Sequence, residues 1–318
     1  MKNDQCLLSV GVFSHNHQAW LPKVFEGILS QNTDFAFEVI VLDDASTDAS
    51  AEIISEQARL HPEQIRMVLN CKNQGPVLQA QQFISMAQGK YLCWLDADDC
   101  WTYPEKLQRQ IDFLEKNPEY SGCFHDAAII SEMPAGAENG EYEMRFHQHW
   151  KTYSQFNTYQ PDFFPWDALQ RKIIPTASLV FRKTELTPFF QKFSCFQLSI
   201  SWAVHLWLLK TGKFRYFNEV WSEYHDHPEG FSKKYSLIDF KINNIMMLEV
   251  FREDEYYCHF AKDVYKALTQ EYFHLLSLPD IRTVNKAAFR KYLKAYEKYA
   301  KLATKTEITY FRKQFEGE

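Results

Sequence analysis

An α/β fold with a mainly parallel sheet is predicted for roughly the first 230 residues, followed by a region made only of helices. Three observations predict it. Between residues 5 and 130, apolar runs of strand length alternate with stretches of helical apolar spacing, the pattern of a parallel sheet with helices on its faces. Three of the strand-like runs stop at polar or acidic clusters, as strands do when their carboxyl ends form a ligand crevice. After about residue 233 the pattern becomes helical throughout, over 237–257, 261–277 and 284–303.

Taken in order, Leu7 to Phe13 forms the first strand and ends at Ser14, His15 and Asn16. A helix over 18–31 follows, then the strand Phe37 to Leu42, which stops at Asp43 and Asp44. Helices over 48–60 and 76–88 flank a turn holding Asn73 and Gly75. The run from Tyr91 to Leu95 is a strand that delivers Asp96, Asp98 and Asp99 together, and a helix over 104–116 comes next. Residues 131–140 are rich in turn formers and predict a surface loop. An aromatic and His-rich span covers 146–170, Ile174 to Phe181 predicts a strand, Ser199 to Lys210 an apolar helix, and Phe214 to Tyr224 another strand.

Bulk composition narrows the function. A chain of 318 residues with 46% hydrophobic residues can bury a large core, and a formal charge of −6 argues against a protein whose main task is gripping nucleic acid. No apolar run approaches the ~20 residues needed to span a bilayer, and the start lacks signal-peptide form, so a cytoplasmic protein is expected. Seven scattered cysteines without a CxxC pair read as reduced thiols. The C-terminal stretch carries Lys286, Arg290, Lys291, Lys294, Lys298, Lys301, Lys305, Arg312 and Lys313 against few acids. That run is either a solvated helix face or a peripheral contact with an anionic membrane at its inner face.

The three carboxylates at 96, 98 and 99 are either a place for a divalent cation, which takes oxygen ligands, or an acidic turn leading into the next helix. The second acidic strand end at Asp43 and Asp44 favours one shared site. The ordered series Ser14-His15-Asn16, LDDASTD from Leu42, Asn73 to Gly75, LDADDCW from Leu95, PEKLQRQ from Pro104, IPTASLVFRK from Ile174 and HDHPEGFS from His225 resembles the family 2 glycosyltransferases. The likeness covers about three quarters of the chain.

That resemblance implies a GT-A-type three-layer nucleotide-sugar-binding domain over 1–232 and a helical extension over 233–318. It implies an inverting, metal-dependent transfer from a nucleoside diphosphate sugar, with UDP as the default base, to a saccharide or lipid-linked saccharide in cell-surface polysaccharide synthesis. The donor would meet Ser14, His15, Asn16, Asp44, Asn73 and Asp96. Mn²⁺ or Mg²⁺ would meet Asp98, Asp99 and His227. The acceptor would meet Trp150, Phe164 and Trp166. His15 stands where the family often has tyrosine, and His225 replaces an arginine.

The catalytic base is the main departure. Ser201 falls where an inverting member carries an acid, and serine accepts no proton at neutral pH without a helper. His205, one helical turn away, is either that helper or a packed core residue. His125, Asp126 and Asp167 match no base motif. A chain that keeps the fold and nucleotide pocket as a binding or scaffolding protein is therefore the alternative. Nucleotidyl transfer fits less well, because Val12 to Asn16 is not a glycine-rich basic loop. His15 and His17 also lie close together, a spacing common in loops without metal.

Overall fold

The computed structural model describes residues 6–131, 151–156, 159–170, 174–184, 186–196, 198, 200–278, 281 and 286–304. Strands β1 (Leu8–Ser14), β2 (Phe37–Asp43), β3 (Ile65–Leu69) and β4 (Tyr91–Asp96) alternate with helices α1 (Leu21–Leu29), α2 (Ser50–Leu60) and α3 (Pro76–Met86). Then come β5 (Cys100–Trp101), α4 (Lys106–Lys116), β6 (Tyr120–Ser131), α5 (Tyr153–Phe156), β7 (Asp162–Phe163) and α6 (Pro165–Leu169). The remainder is β8 (Val180–Arg182), α7 (Thr187–Phe193), α8 (Ile200–Leu208), β9 (Lys213–Asp226), α9 (Leu237–Arg252), α10 (Glu255–Cys258), α11 (Ala261–Ser277) and α12 (Lys286–Thr304).

The sheet runs β3-β2-β1-β4-β8-β6-β9-β5, with β7 beside β9. Its first four strands are all parallel, and β6 and β9 are parallel to each other, while β8, β5 and β7 pair antiparallel with their neighbours. Alternate residues of β1, β2 and β4, such as Val10, Val41 and Cys93, share one buried cluster with Leu21, Val24, Phe25 and Ile28 of α1 and Leu107, Ile111 and Leu114 of α4. The spacing of those helical residues makes one apolar stripe, and burying it fixes which face each helix turns to the sheet. Gly27 lets α1 come closest to β5, because a Cβ there would lie 2.5 Å from the Trp101 carbonyl oxygen.

Two predicted elements differ from the structure. Instead of a strand over 174–181, Thr176–Ser178 form a 3₁₀ turn and the strand covers only Val180–Arg182. Ser178 Oγ donates to the Pro175 carbonyl at 2.7 Å, so a side chain closes the turn where the apolar run suggested extension. The single helix expected over 237–257 is two, because Asp254 accepts a hydrogen bond from the Tyr256 N–H and caps a new start.

The chain forms two compact units. The first holds the sheet and reaches Gly230. The second runs from Phe231 and includes Trp166–Arg171. Within the second, α9 opens with a reciprocal Ser236–Asp239 capping box, and Tyr299 donates to Glu249 at 2.6 Å. Trp166 packs there against Phe260, ring centroids 5.9 Å apart. No helix among the described residues is long and apolar enough to cross a membrane.

Candidate active site

Parallel pairing of β2, β1 and β4 brings three carboxyl ends to one edge. Ser14 lies beside Asp43, and Phe13 beside Asp96. The pairing continues one step past the strands, with Asp44 N–H donating to Ser14 O and Ala97 N–H to Phe13 O, both at 2.8 Å. The serine and the two acidic clusters singled out in the sequence are therefore neighbours.

The loops after β1 and β2 are laced together. Asn16, at φ 63°, accepts the Thr47 N–H at 2.7 Å on Oδ1, while its own N–H donates to Ser46 Oγ at 2.8 Å. Asp43 holds Ser46 through its N–H at 2.9 Å and its hydroxyl at 2.5 Å. Gln18 Oε1 accepts the Ala49 N–H, and Asp48 accepts the Gln18 N–H. Asp44 is buried, and its carboxylate accepts the N–H groups of Gln74 and Gly75 at 2.8–3.0 Å and Asn70 Nδ2 at 3.3 Å. It thereby holds the turn before α3, where Gly75 takes φ 84°, a left-handed conformation that favours glycine. His15 Nδ1 lies 2.8 Å from the Asp44 carbonyl, and Asn73 is exposed. Ser14 Oγ is buried with no hydrogen-bond partner among the described residues.

The acids after β4 have a different environment. Asp98 Oδ2 lies 3.1 Å from His227 Nε2 and 3.6 Å from His17 Nε2. Trp20 lies over the His227 ring at a centroid distance of 4.4 Å and meets the His17 ring edge-on at 5.8 Å. Burial pushes the Asp98 carboxyl up, but the His227 hydrogen bond and the charges of both imidazoles outweigh it and hold Asp98 below the usual carboxylate range. Burial and the neighbouring Asp98 charge push Asp96 up to about 7. Asp99 is raised well above its ordinary value by burial, then by Asp98 and Asp96, although the His225 N–H approaches its Oδ1 at 3.4 Å. Three acids, Asp99 buried and Asp96 and Asp98 half-buried, with too little positive charge around them fit a divalent cation, with Asp98, Asp99 and His227 as oxygen and nitrogen donors.

His17 and Trp20 were not among the predicted site residues. Their signal was the placement of both, three residues apart, just after the first strand end. The two histidines of that loop part company, His15 to Asp44 and His17 to Asp98.

The other predicted residues have surroundings of their own. Ser201 is half-buried in the first turn of α8. His205 is buried in the same helix, its ring edge-on to Phe214 at 6.4 Å, and burial pulls its imidazole down to about 3. His125 is fully buried against Trp221, with Nδ1 2.8 Å from the Asp126 carbonyl, and burial followed by the Lys106 charge holds it well below its usual value. Asp126 Oδ1 accepts the N–H groups of Ala127 and Ser154. Phe164 is half-buried, with Lys213 Nζ 5.9 Å from its ring, and Trp166 belongs to the second unit. Asp167, also in that unit, is buried. Trp150 lies outside the described residues.

Comparison with known proteins gives the family and the fold. Residues 9–167 match the family described as glycosyl transferase family 2. The uncharacterized protein Rv1520 of Mycobacterium tuberculosis is 30% identical over 223 residues, 70% of this chain and 60% of that protein. The chain thus spans about 60% of that relative's length. The putative teichuronic acid biosynthesis glycosyltransferase TuaG of Bacillus subtilis is 31% identical over 114 residues, 36% of this chain and 44% of its own length. Among solved structures, S. aureus TarS 1-349 in complex with UDP-GlcNAc aligns with a TM-score of 0.60 at 13% identity, covering 93% of this chain and 81% of that one. The mannosyltransferase PcManGT of Pyrobaculum calidifontis, in complex with GDP-Man and Mn²⁺, aligns at a TM-score of 0.53 and 16% identity, covering 95% and 84%. These likenesses show the fold. The matched half of the chain contains all three strand ends, and by that match the chain belongs to glycosyl transferase family 2.

Proposed function

We propose that the chain is a metal-dependent, inverting glycosyltransferase that moves a sugar from a nucleoside diphosphate sugar to a saccharide or lipid-linked saccharide acceptor. The observation that carries this reading is Asp98 held between His17 and His227 beside half-buried Asp96 and buried Asp99 at the edge where β1, β2 and β4 end. Asp98, Asp99 and His227 would hold Mn²⁺ or Mg²⁺, and the cation would supply positive charge to a leaving diphosphate. The unpartnered Ser14 hydroxyl, with Asp44, His15, Asn16, Asn73 and Asp96, would receive the nucleoside, with UDP the first base to try. The TarS complex with UDP-GlcNAc and the PcManGT complex with GDP-Man and Mn²⁺ support a nucleotide-sugar donor of this class.

Residues 1–232 are assigned to transfer and 233–318 to a helical extension. Phe164, Trp166 and Trp150 are candidate acceptor contacts, and a role in cell-surface polysaccharide synthesis is in keeping with the name of TuaG. The protein would work in the cytoplasm, with the basic face of α12 against the inner membrane surface. Exposed Arg290, Lys294, Lys298 and Lys301 on α12 support that placement.

Ser201 favours a second reading, a nucleotide-binding protein that no longer transfers sugar, because no acid stands at that position. Titrating UDP with Mn²⁺ into the wild type and an Asp98→Ala, Asp99→Ala double variant tests the site. Metal-dependent heat lost in the variant supports it, and equal affinity in both rejects it. Turnover of the wild type against Ser201→Asp then separates the readings. A large gain from near-zero activity indicates a lapsed site.

A further inference from the structure

Outside the Asp98 cluster, one other group of side chains among the described residues has metal-ligand chemistry. We propose that Cys100, Glu223 and His225 form a binding site for a thiophilic divalent cation of the zinc class, separate from the site at Asp98, with the Lys23 ammonium occupying its place in the metal-free chain.

The backbone sets up this cluster. β5 pairs antiparallel with β9 so that Cys100 stands opposite Glu223. His225 is two residues further along β9 and shares the face of Glu223. Cys100 Sγ lies 3.4 Å from Glu223 Oε2, and His225 Nε2 lies 3.6 Å from the same oxygen. All three ligand atoms fall within 4.8 Å of one another. Zinc bonds of about 2.0–2.3 Å in a tetrahedron separate ligand atoms by about 3.3–3.7 Å, so two of the three edges already have the required length. A sulfur, a nitrogen and one carboxylate oxygen favour zinc over magnesium or calcium, which prefer oxygen alone.

A cation is already held there. Lys23 Nζ forms a 2.5 Å ion pair with Glu223 Oε2, and its side chain is 52% exposed, so it can swing into water. Burial pushes the Glu223 carboxyl up, but hydrogen bonds from Lys23 and Cys100 outweigh it and leave it below its usual range. Lys23 reaches this point because Gly27, one helical turn further along α1, permits close approach to β5. On metal binding the Cys100 thiol gives its proton to solvent and the lysine leaves. Thiolate and carboxylate then balance the two charges of the ion.

The test is a titration of metal-free, full-length protein with Co²⁺, following the near-ultraviolet thiolate-to-cobalt charge-transfer band, then displacement by Zn²⁺ in competition with a chromophoric chelator. One equivalent should produce the band, and Cys100→Ser should abolish it. His225→Gln should weaken binding by roughly 10–100-fold. Lys23→Ala should tighten it several-fold, and Asp98→Asn should leave the band in place. No band in the wild type overturns the proposal. So does a band that survives Cys100→Ser, which would put the metal on exposed Cys71, Cys195 or Cys258. So does a band lost with Asp98→Asn. If Cys100→Ser does not fold, Lys23→Ala decides alone: unchanged affinity in that variant overturns the site.

Discussion

Replacing Lys106 with methionine should stabilise the protein near neutral pH and do so less and less as pH rises. The Lys106 side chain is fully buried, with Nζ 2.9 Å from Gln110 Oε1 and 4.0 Å from the centre of the Trp101 ring. Burial lowers its pKa from 10.5 to about 8, only partly opposed by Cys93 and Cys123. Because the folded value lies below the unfolded one, the native state binds fewer protons between them, and wild-type stability rises with pH through that window. The cost of holding the charged amine is about 3 kcal/mol near pH 7.5 and about 1 kcal/mol near pH 10. Methionine removes that cost but leaves Gln110 Oε1 without its donor, a loss of about 1–3 kcal/mol. Net stabilisation near pH 7.5 is therefore about 0–2 kcal/mol, turning into net destabilisation near pH 10. Urea unfolding of both proteins at the two pH values measures the change. A difference between variant and wild type that stays constant within about 0.5 kcal/mol across this range refutes the reasoning.

Other perturbations have equally direct readouts. His205, whose value falls from 6.5 to about 3, is neutral when folded, so its contribution is present above pH 6.5 and lost as pH falls; His205→Leu should spare about 2 kcal/mol of the wild type's loss between pH 7 and 5, read by urea unfolding. Gly27→Ala places a methyl 2.5 Å from the Trp101 carbonyl oxygen and should destabilise by about 1–3 kcal/mol, visible as a lower urea midpoint.

What the sequence made legible was local. Strand ends at Ser14, Asp43 and Asp96 follow from apolar runs that stop at polar residues, and the parallel order that joins them follows from the alternation of strands and helices. What it hid depends on distant pairing. His227 approaches Asp98 from 129 positions away, a meeting that only the family resemblance implies, and Trp20 lies over that histidine only because α1 packs beside the strand ends. The pairing of Cys100 with Glu223 rests on a two-residue strand too short to leave a periodic signal. The apolar run over 174–181 hides the 3₁₀ turn at Thr176–Ser178, because it does not register a serine hydroxyl that closes on the Pro175 carbonyl.

The reciprocal bonds between Asn16, Gln18, Ser46, Thr47, Asp48 and Ala49 bear on how this protein can be re-engineered. Each loop supplies acceptors for the other's N–H groups, so the shape of each depends in part on the other. A graft that exchanges 15–18 alone, or 44–49 alone, would leave orphaned donors on the half that stayed behind. The two segments are one transplantable cassette, and a library aimed at a new donor must vary them as matched pairs.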